Sequence, residues 1–294
     1  MIKKIFIFVI ISTSIVMAQT RLDSVKSLIS AKFNFAQGNF ALAFKEVGND
    51  SNTILINDKE VFHAASTMKT PVMVEIFKQV NQGKYKLDDS ILVKNEFLSI
   101  VDGSKYSMDI SDDGGEDLYK FIGQKKTIKD LMTDMIIVSS NLATNILIEL
   151  VGADNVMSTM RSIGAKDIKV LRGVEDQKAY DKGLNNTTTA FDLMLIFDKI
   201  AKGEVVNKSS CQAMMDILLQ QKFNDVIPAL LPSEVKVAHK TGSITGIIHD
   251  SGIVILPNNK KYVLVLLSKN LKDDTKGRQM LSEVSRIGYD YMID

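Results

Sequence analysis

Segments that read as β-strands lie near both ends of this chain, and almost everything between them has helical spacing. NFALAFKEV (39–47) and NTILIN (52–57) read as two strands joined through Gly48 to Ser51. VKVAHKTG (235–242), HDSGIVIL (249–256) and KYVLVLLSK (261–269) read as three more, with Pro257, Asn258 and Asn259 marking the last turn. Helical periodicity runs through 22–33 and 277–292 at the ends, and through 128–139, 142–151, 155–164, 189–203 and 209–221 in the middle. Strands from both ends that bracket a helical middle predict an α/β (α+β) fold. One antiparallel sheet of about five strands carries flanking helices, and an all-helical lobe is inserted between its halves.

The first twenty residues combine a basic start, a short apolar run and the small-residue ending Val16-Met17-Ala18, the layout of a cleavable export signal over 1–18. The expected domain is then a single unit over 19–294, its α/β part at about 19–65 and 222–294 and its helical lobe at about 70–221. An apolar content of 45% and a net charge of +1 provide a core and no field for nucleic acid or an anionic membrane. The single cysteine, Cys211, excludes an internal disulfide and sits at a helical apolar position, where a buried inert thiol is expected. His63, His239 and His249 have none of the spacings of a zinc site, so no metal is expected. The acidic run SDDGGED (111–117) reads as a solvated loop.

Three short clusters stand in order: Ser66-Thr67-Met68-Lys69 opening a helix, Ser139-Ser140-Asn141 between two helices, and Lys240-Thr241-Gly242 ending a strand. Each alone is ordinary, since a lysine beside an N-cap serine and a helix-capping VSSN turn are both common. A hydroxyl is a poor nucleophile without a base, and Lys69, one helical turn after Ser66, projects to the same side. Pro71 is tolerable only within the first helical turn.

With these motifs, and with TIKDLMTDMIIVSSNLATNILIEL (127–150) and KTGSITGIIHDSGIVI (240–255), the chain resembles the serine β-lactamase and penicillin-binding protein family, closest to class A, over nearly its whole mature length. The resemblance implies a β-lactamase/transpeptidase-like fold and a secreted, periplasmic, monomeric serine hydrolase. It implies a small-molecule β-lactam substrate, no cofactor, no nucleic acid and no stable membrane association after signal cleavage.

By the same resemblance Ser66 is the nucleophile and Lys69 its base, whose pKa burial and the nearby cation Lys240 would lower. Ser139 relays a proton to the leaving nitrogen. Asn141, Lys240, Thr241, Gly242, Ser243 and His249 bind substrate, and the backbone N–H groups of Ser66 and Ser243 form the oxyanion hole. Asn145 braces the loop that faces the cleft. Glu175 activates the water that clears the acyl-enzyme, with Asp176 as a competing candidate.

The chain departs from the family pattern at several positions. Ser140 replaces the usual aspartate, Ala179 stands where an asparagine is usual, and Asn186 falls where an acid closes the loop neck. His249 lies where many relatives carry arginine. The departures around Glu175 keep open a D-alanyl-D-alanine carboxypeptidase or penicillin-binding protein with slow deacylation. A non-catalytic β-lactam sensor domain is a further alternative.

Overall fold

A computed structural model describes residues 20–294; the export signal expected over 1–18 lies outside the described residues. Helix α1 spans 20–35. It leads into the five-stranded sheet, whose strands are β1 (Asn39–Glu46), β2 (Thr53–Ile56), β9 (Lys236–Ile244), β10 (Ile247–Ile255) and β11 (Lys261–Lys269). Their spatial order is β2-β1-β11-β10-β9, antiparallel throughout, so strands from the two ends meet where β1 pairs with β11. Three short pairings complete the β structure: β3 (Phe62–His63) with β8 (Thr187–Thr188), β4 (Ser90–Leu92) with β7 (Lys125–Thr127), and β5 (Phe97–Leu98) with β6 (Lys105–Tyr106).

Both faces of the sheet are buried, and side-chain alternation sorts its residues between two cores. Phe40, Leu42, Phe44, Val237, Val254, Tyr262, Leu264 and Leu266 pack with Ile29 of α1 and with Leu281 and Val284 of the C-terminal helix α9 (Asp274–Ile293). Ala41, Ala43, Ala238, Ile253, Val263, Val265 and Leu267 face the helices of the middle of the chain. Those helices are α2 (Lys69–Asn81), α3 (Ile128–Ile137), α4 (Asn141–Val151), α5 (Ala153–Ser162), α6 (Gln177–Asp181), α7 (Ala190–Lys202) and α8 (Lys208–Leu218). The five-strand sheet and the helical middle agree with the sequence reading. Cys211 is buried on α8.

The helix starts follow local chemistry. Thr127, Thr189 and Asn207 each cap a helix by accepting the backbone N–H three residues on. Pro71 is the third residue of α2, within the first turn, where its missing N–H costs least. Strand β9 lies at the sheet edge, which leaves its outer side free to border a cleft.

Candidate active site

Ser66 belongs to a 3-10 turn, Ala65–Met68, that runs directly into α2 at Lys69. The turn is tight enough to hold Ala65 at φ 44°. Among the described residues, six non-glycine residues have positive φ. Asn57, Asn259 and Asn270 are asparagines, which tolerate that region, whereas Ala65, Ser139 and Glu175 all stand around one cleft. Backbone strain of this kind persists only where the surroundings enforce it.

Lys69 is fully buried. Its Nζ donates to Ser139 O at 2.7 Å, to Asn141 Oδ1 at 2.8 Å and to Ser139 Oγ at 3.1 Å. Burial lowers its pKa to about 7, against the opposing pull of Asp113 and Glu175. Lys240, also fully buried, reaches in from β9 and donates to Thr241 O at 2.9 Å and to Ser139 Oγ at 3.1 Å. Burial, and then the charge of Lys69, hold it well below its ordinary value. The two ammonium groups converge on the same hydroxyl, so the repulsion between them is mutual and adds to burial in favouring the neutral forms. Among the described residues no hydrogen bond reaches the Ser66 hydroxyl, which faces the cleft; such contacts commonly tighten only in the reacting complex.

Two adjoining cavities, of about 340 and 420 Å³, both open onto Ser66, Asn141 and Ser243. The first is bordered by Ser139, Thr241 and Gly242, the second by Glu175, Tyr180 and Thr245. At Gly242 a Cβ would lie 3.1 Å from Ser66 N and 3.2 Å from Thr67 N, so the absent side chain lets β9 press against the serine turn. That approach brings the main chain around Ser66 and Ser243 to one side of the cleft, where paired N–H groups can bind a developing oxyanion.

Asn141 opens α4. Its Oδ1 accepts from Lys69, and its Nδ2 donates to Glu175 Oε1 at 2.8 Å. The hydroxyl of Ser140 caps α4 through Ala143 N at 3.2 Å. The carboxylate missing at Ser140 is supplied from elsewhere: Asp113, buried, accepts from Asn141 N at 2.9 Å, Leu142 N at 2.8 Å, Gly115 N at 2.8 Å and Tyr119 OH at 3.1 Å. The solvated-loop reading of 111–117 is therefore corrected at Asp113, which anchors the turn that carries Ser139 and Asn141. The signal was the glycine pair after it. A Cβ at Gly114 would lie 2.2 Å from Val138 O and one at Gly115 2.4 Å from Ser140 Cβ, which marks close packing instead of a free loop.

Glu175 is half-buried, and burial raises its carboxyl above the ordinary range, opposed by its hydrogen bonds from Asn141 and Asp109. Asn145 holds the loop that carries it: Oδ1 accepts from Val174 N at 2.7 Å and Nδ2 donates to Val174 O at 3.0 Å. Asp176 is spent on structure, accepting from Ser99 Oγ at 2.8 Å and Ile100 N at 2.9 Å and capping α6 through Ala179 N at 3.1 Å. Those bonds leave Glu175 as the carboxylate that contacts Asn141. Ala179 is buried in α6. The loop neck closes without an ion pair: Asn186 accepts from Leu171 N at 2.8 Å and donates to Arg172 O at 2.9 Å, while Arg172 Nε donates to Leu184 O at 2.9 Å.

His249 borders the cleft but keeps its polar atoms inside. Its Nδ1 accepts from Ser268 N at 3.2 Å, which leaves Nε2 to donate to His63 O at 2.9 Å. Burial lowers its pKa to about 4, so the ring is neutral and offers a ligand no cation. His63 accepts from Ala65 N at 3.1 Å and stabilises the serine turn. Residues the sequence reading did not single out, Phe223, Asp225, Val226 and Arg278, form the outer wall of the first cavity. Among the described residues no cluster of three or more His, Cys, Asp or Glu side chains is placed to hold a metal ion.

The chain and its fold are similar to known proteins. Beta-lactamase VEB-1 of Pseudomonas aeruginosa is 22% identical over 258 residues, covering 84% of this chain and 83% of that relative. The solved β-lactamase of Sphaerobacter thermophilus superposes with a TM-score of 0.76 at 26% identity, over 90% of this chain and 95% of its own. The structure of PBP-A superposes with a TM-score of 0.77 at 25% identity, over 92% and 96%. The model of the beta-lactamase enzyme family matches residues 23–292, and the chain belongs to that family.

Proposed function

We propose that this protein opens β-lactam rings through an acyl-enzyme on Ser66 and then hydrolyses that ester. The observation that carries the reading is the meeting of Lys69 and Lys240 at Ser139 beside Ser66, with Lys69 brought to about pKa 7. Neutral Lys69 takes the Ser66 proton as Oγ attacks the lactam carbonyl. The N–H groups of Ser66 and Ser243 bind the oxyanion, and Ser139 passes a proton to the departing lactam nitrogen as the C–N bond breaks. Lys240 and Thr241 hold the substrate carboxylate, and Asn141 its side-chain amide. Glu175 then removes a proton from water as it attacks the ester carbonyl, and as the bond from that carbonyl to Ser66 Oγ breaks a proton returns to Oγ through Lys69.

A second reading, a penicillin-binding peptidase that acylates readily and deacylates slowly, is favoured by buried Ala179. Ala179 stands where the family usually carries an asparagine, so that amide is missing as a partner for a hydrolytic water. A point mutant of PBP-A, one of the similar structures, has been solved as an acyl-enzyme complex with penicillin G. A chromogenic cephalosporin separates the two. Sustained turnover supports the hydrolase, and one equivalent of colour followed by silence supports the peptidase. No colour at any protein concentration contradicts both. Export to the periplasm and a monomeric state are part of the same proposal.

A further inference from the structure

The sheet face opposite Lys240 holds a second buried ionisable group for which the chemistry at Ser66 has no use. His239 precedes Lys240 on β9 and therefore points to the α9 side, as does Thr241 two residues on. Asp250 on β10 is directly opposite Thr241 in the strand register. His239 and Asp250 are both fully buried. His239 Nδ1 lies 2.9 Å from Asp250 Oδ1 and 3.1 Å from Oδ2, and Nε2 lies 3.1 Å from Asn224 Oδ1. The Asn224 amide is oriented by its own donors, Nδ2 giving to Gln221 O at 3.1 Å. Asp250 Oδ2 also accepts from Ile227 N at 3.0 Å.

The arrangement is built into the chain. Gly252 stands across from His239 in the register, and a Cβ there would lie 2.5 Å from His239 Cβ. Both ends of the 224–227 segment are thus fastened to one strand pair, Asn224 through His239 and Ile227 through Asp250. Between and beside those points lie Phe223, Asp225 and Val226, which form the outer wall of the cavity that holds Ser66 and Thr241. Asp225 also pairs with Arg278 of α9.

We infer that Asn224, His239 and Asp250 form a positioning clamp that holds the 223–226 wall in its binding-ready shape and so sets ligand affinity, not the rate of the chemical step. The physical reason is preorganisation. A wall that is already ordered does not have to lose backbone and side-chain freedom when the ligand arrives. Ser66 and Lys69 sit at the turn that opens α2 and Ser139 between α3 and α4, none of them on the 223–226 wall, so loosening the wall leaves them in place.

The kinetic part of this inference rests on the proposed acylation, and the structural part stands without it. Asn224 is exposed, so its substitution spares the core. Asn224→Ala removes the acceptor that His239 faces, and Asn224→Asp retains one. Amide hydrogen exchange over 222–228 is expected to accelerate about tenfold in the alanine variant and to return to the original rate in the aspartate variant. Unchanged exchange in the alanine variant overturns the clamp, whether or not the protein reacts with lactams. With a chromogenic cephalosporin, Asn224→Ala is expected to raise KM about tenfold while kcat stays within a factor of two, and Asn224→Asp is expected to restore KM. A fall in kcat at unchanged KM, or an altered melting temperature with neither constant moved, overturns the positioning role. Failure of the unaltered protein to react at all counts against the proposed function, and the exchange result still decides the clamp.

Discussion

Lys69 and Lys240 reach one atom from opposite walls of the cleft, each ammonium nitrogen 3.1 Å from Ser139 Oγ. Two buried cations so close are costly, and loss of a proton relieves both the burial and the repulsion. Neutral Lys69 is the form that can accept a proton. The rate of acylation is therefore expected to be low below pH 7, where Lys69 is protonated, and to rise through about pH 7 as it becomes neutral. Lys69→Arg, which stays protonated, should lose that rise and about a hundredfold or more of the rate. Second-order acylation rates measured from pH 5 to 9 check this, and a flat profile would count against Lys69 as the base.

Asp113 performs from a distant loop the anchoring that Ser140 cannot. Asp113→Ala leaves the buried N–H groups of Asn141 and Leu142 without acceptors and should cost about 3 kcal/mol in urea unfolding. Ser140→Asp should also destabilise, because the new carboxylate would stand beside that of Asp113, already 3.4 Å from Ser140 Oγ. Asp113→Asn combined with Ser140→Asp should recover part of the loss. A double-mutant cycle with no coupling energy would separate the two positions.

The loop carrying Glu175 depends on the absence of a side chain at Gly173, where a Cβ would lie 2.2 Å from Asn145 Oδ1. Gly173→Ala should push Asn145 off Val174 and displace Glu175. The acyl-enzyme is then expected to persist about ten- to a hundredfold longer, while its formation changes by no more than about threefold. Stopped-flow separation of the two steps tests this. An equal slowing of both would place the damage in the fold as a whole.

Gly242 is the corresponding position on the acylation side. Gly242→Ala brings a methyl group within 3.1 Å of Ser66 N and should pry β9 from the serine turn. A loss of about a hundredfold in acylation is expected, the scale of losing an oxyanion donor, with deacylation of any ester formed less affected. Unaltered acylation in a folded Gly242→Ala protein would show that the close approach is not needed.

Much of this was legible in the sequence because it is local. Near-continuous apolar runs such as 40–44, 253–256 and 262–267 specify strands with two buried faces, and the spacing of Ser66 to Lys69 places both on one side of a turn. What escaped depends on partners far apart in the chain. Asp113 acts 28 residues from Asn141, and an acid flanked by acids gives no hint of burial until its glycines are read as packing. His239 lacks any metal-ligand spacing, and its partners Asp250 and Asn224 become visible only when β9 and β10 are aligned and the 221–227 segment is folded over them. The neutral neck at Asn186 replaces charge with paired amide bonds, a substitution of mechanism that residue type alone does not reveal.

The most direct measurement is the mass of the intact protein after mixing with a penicillin and rapid acid quenching, followed by digestion to locate any adduct. A gain equal to the whole penicillin is expected, carried on Ser66, absent in Ser66→Ala and longer-lived in Glu175→Gln. A protein that never gains mass while the drug remains unopened, or that carries the adduct undiminished after Ser66→Ala, would contradict it.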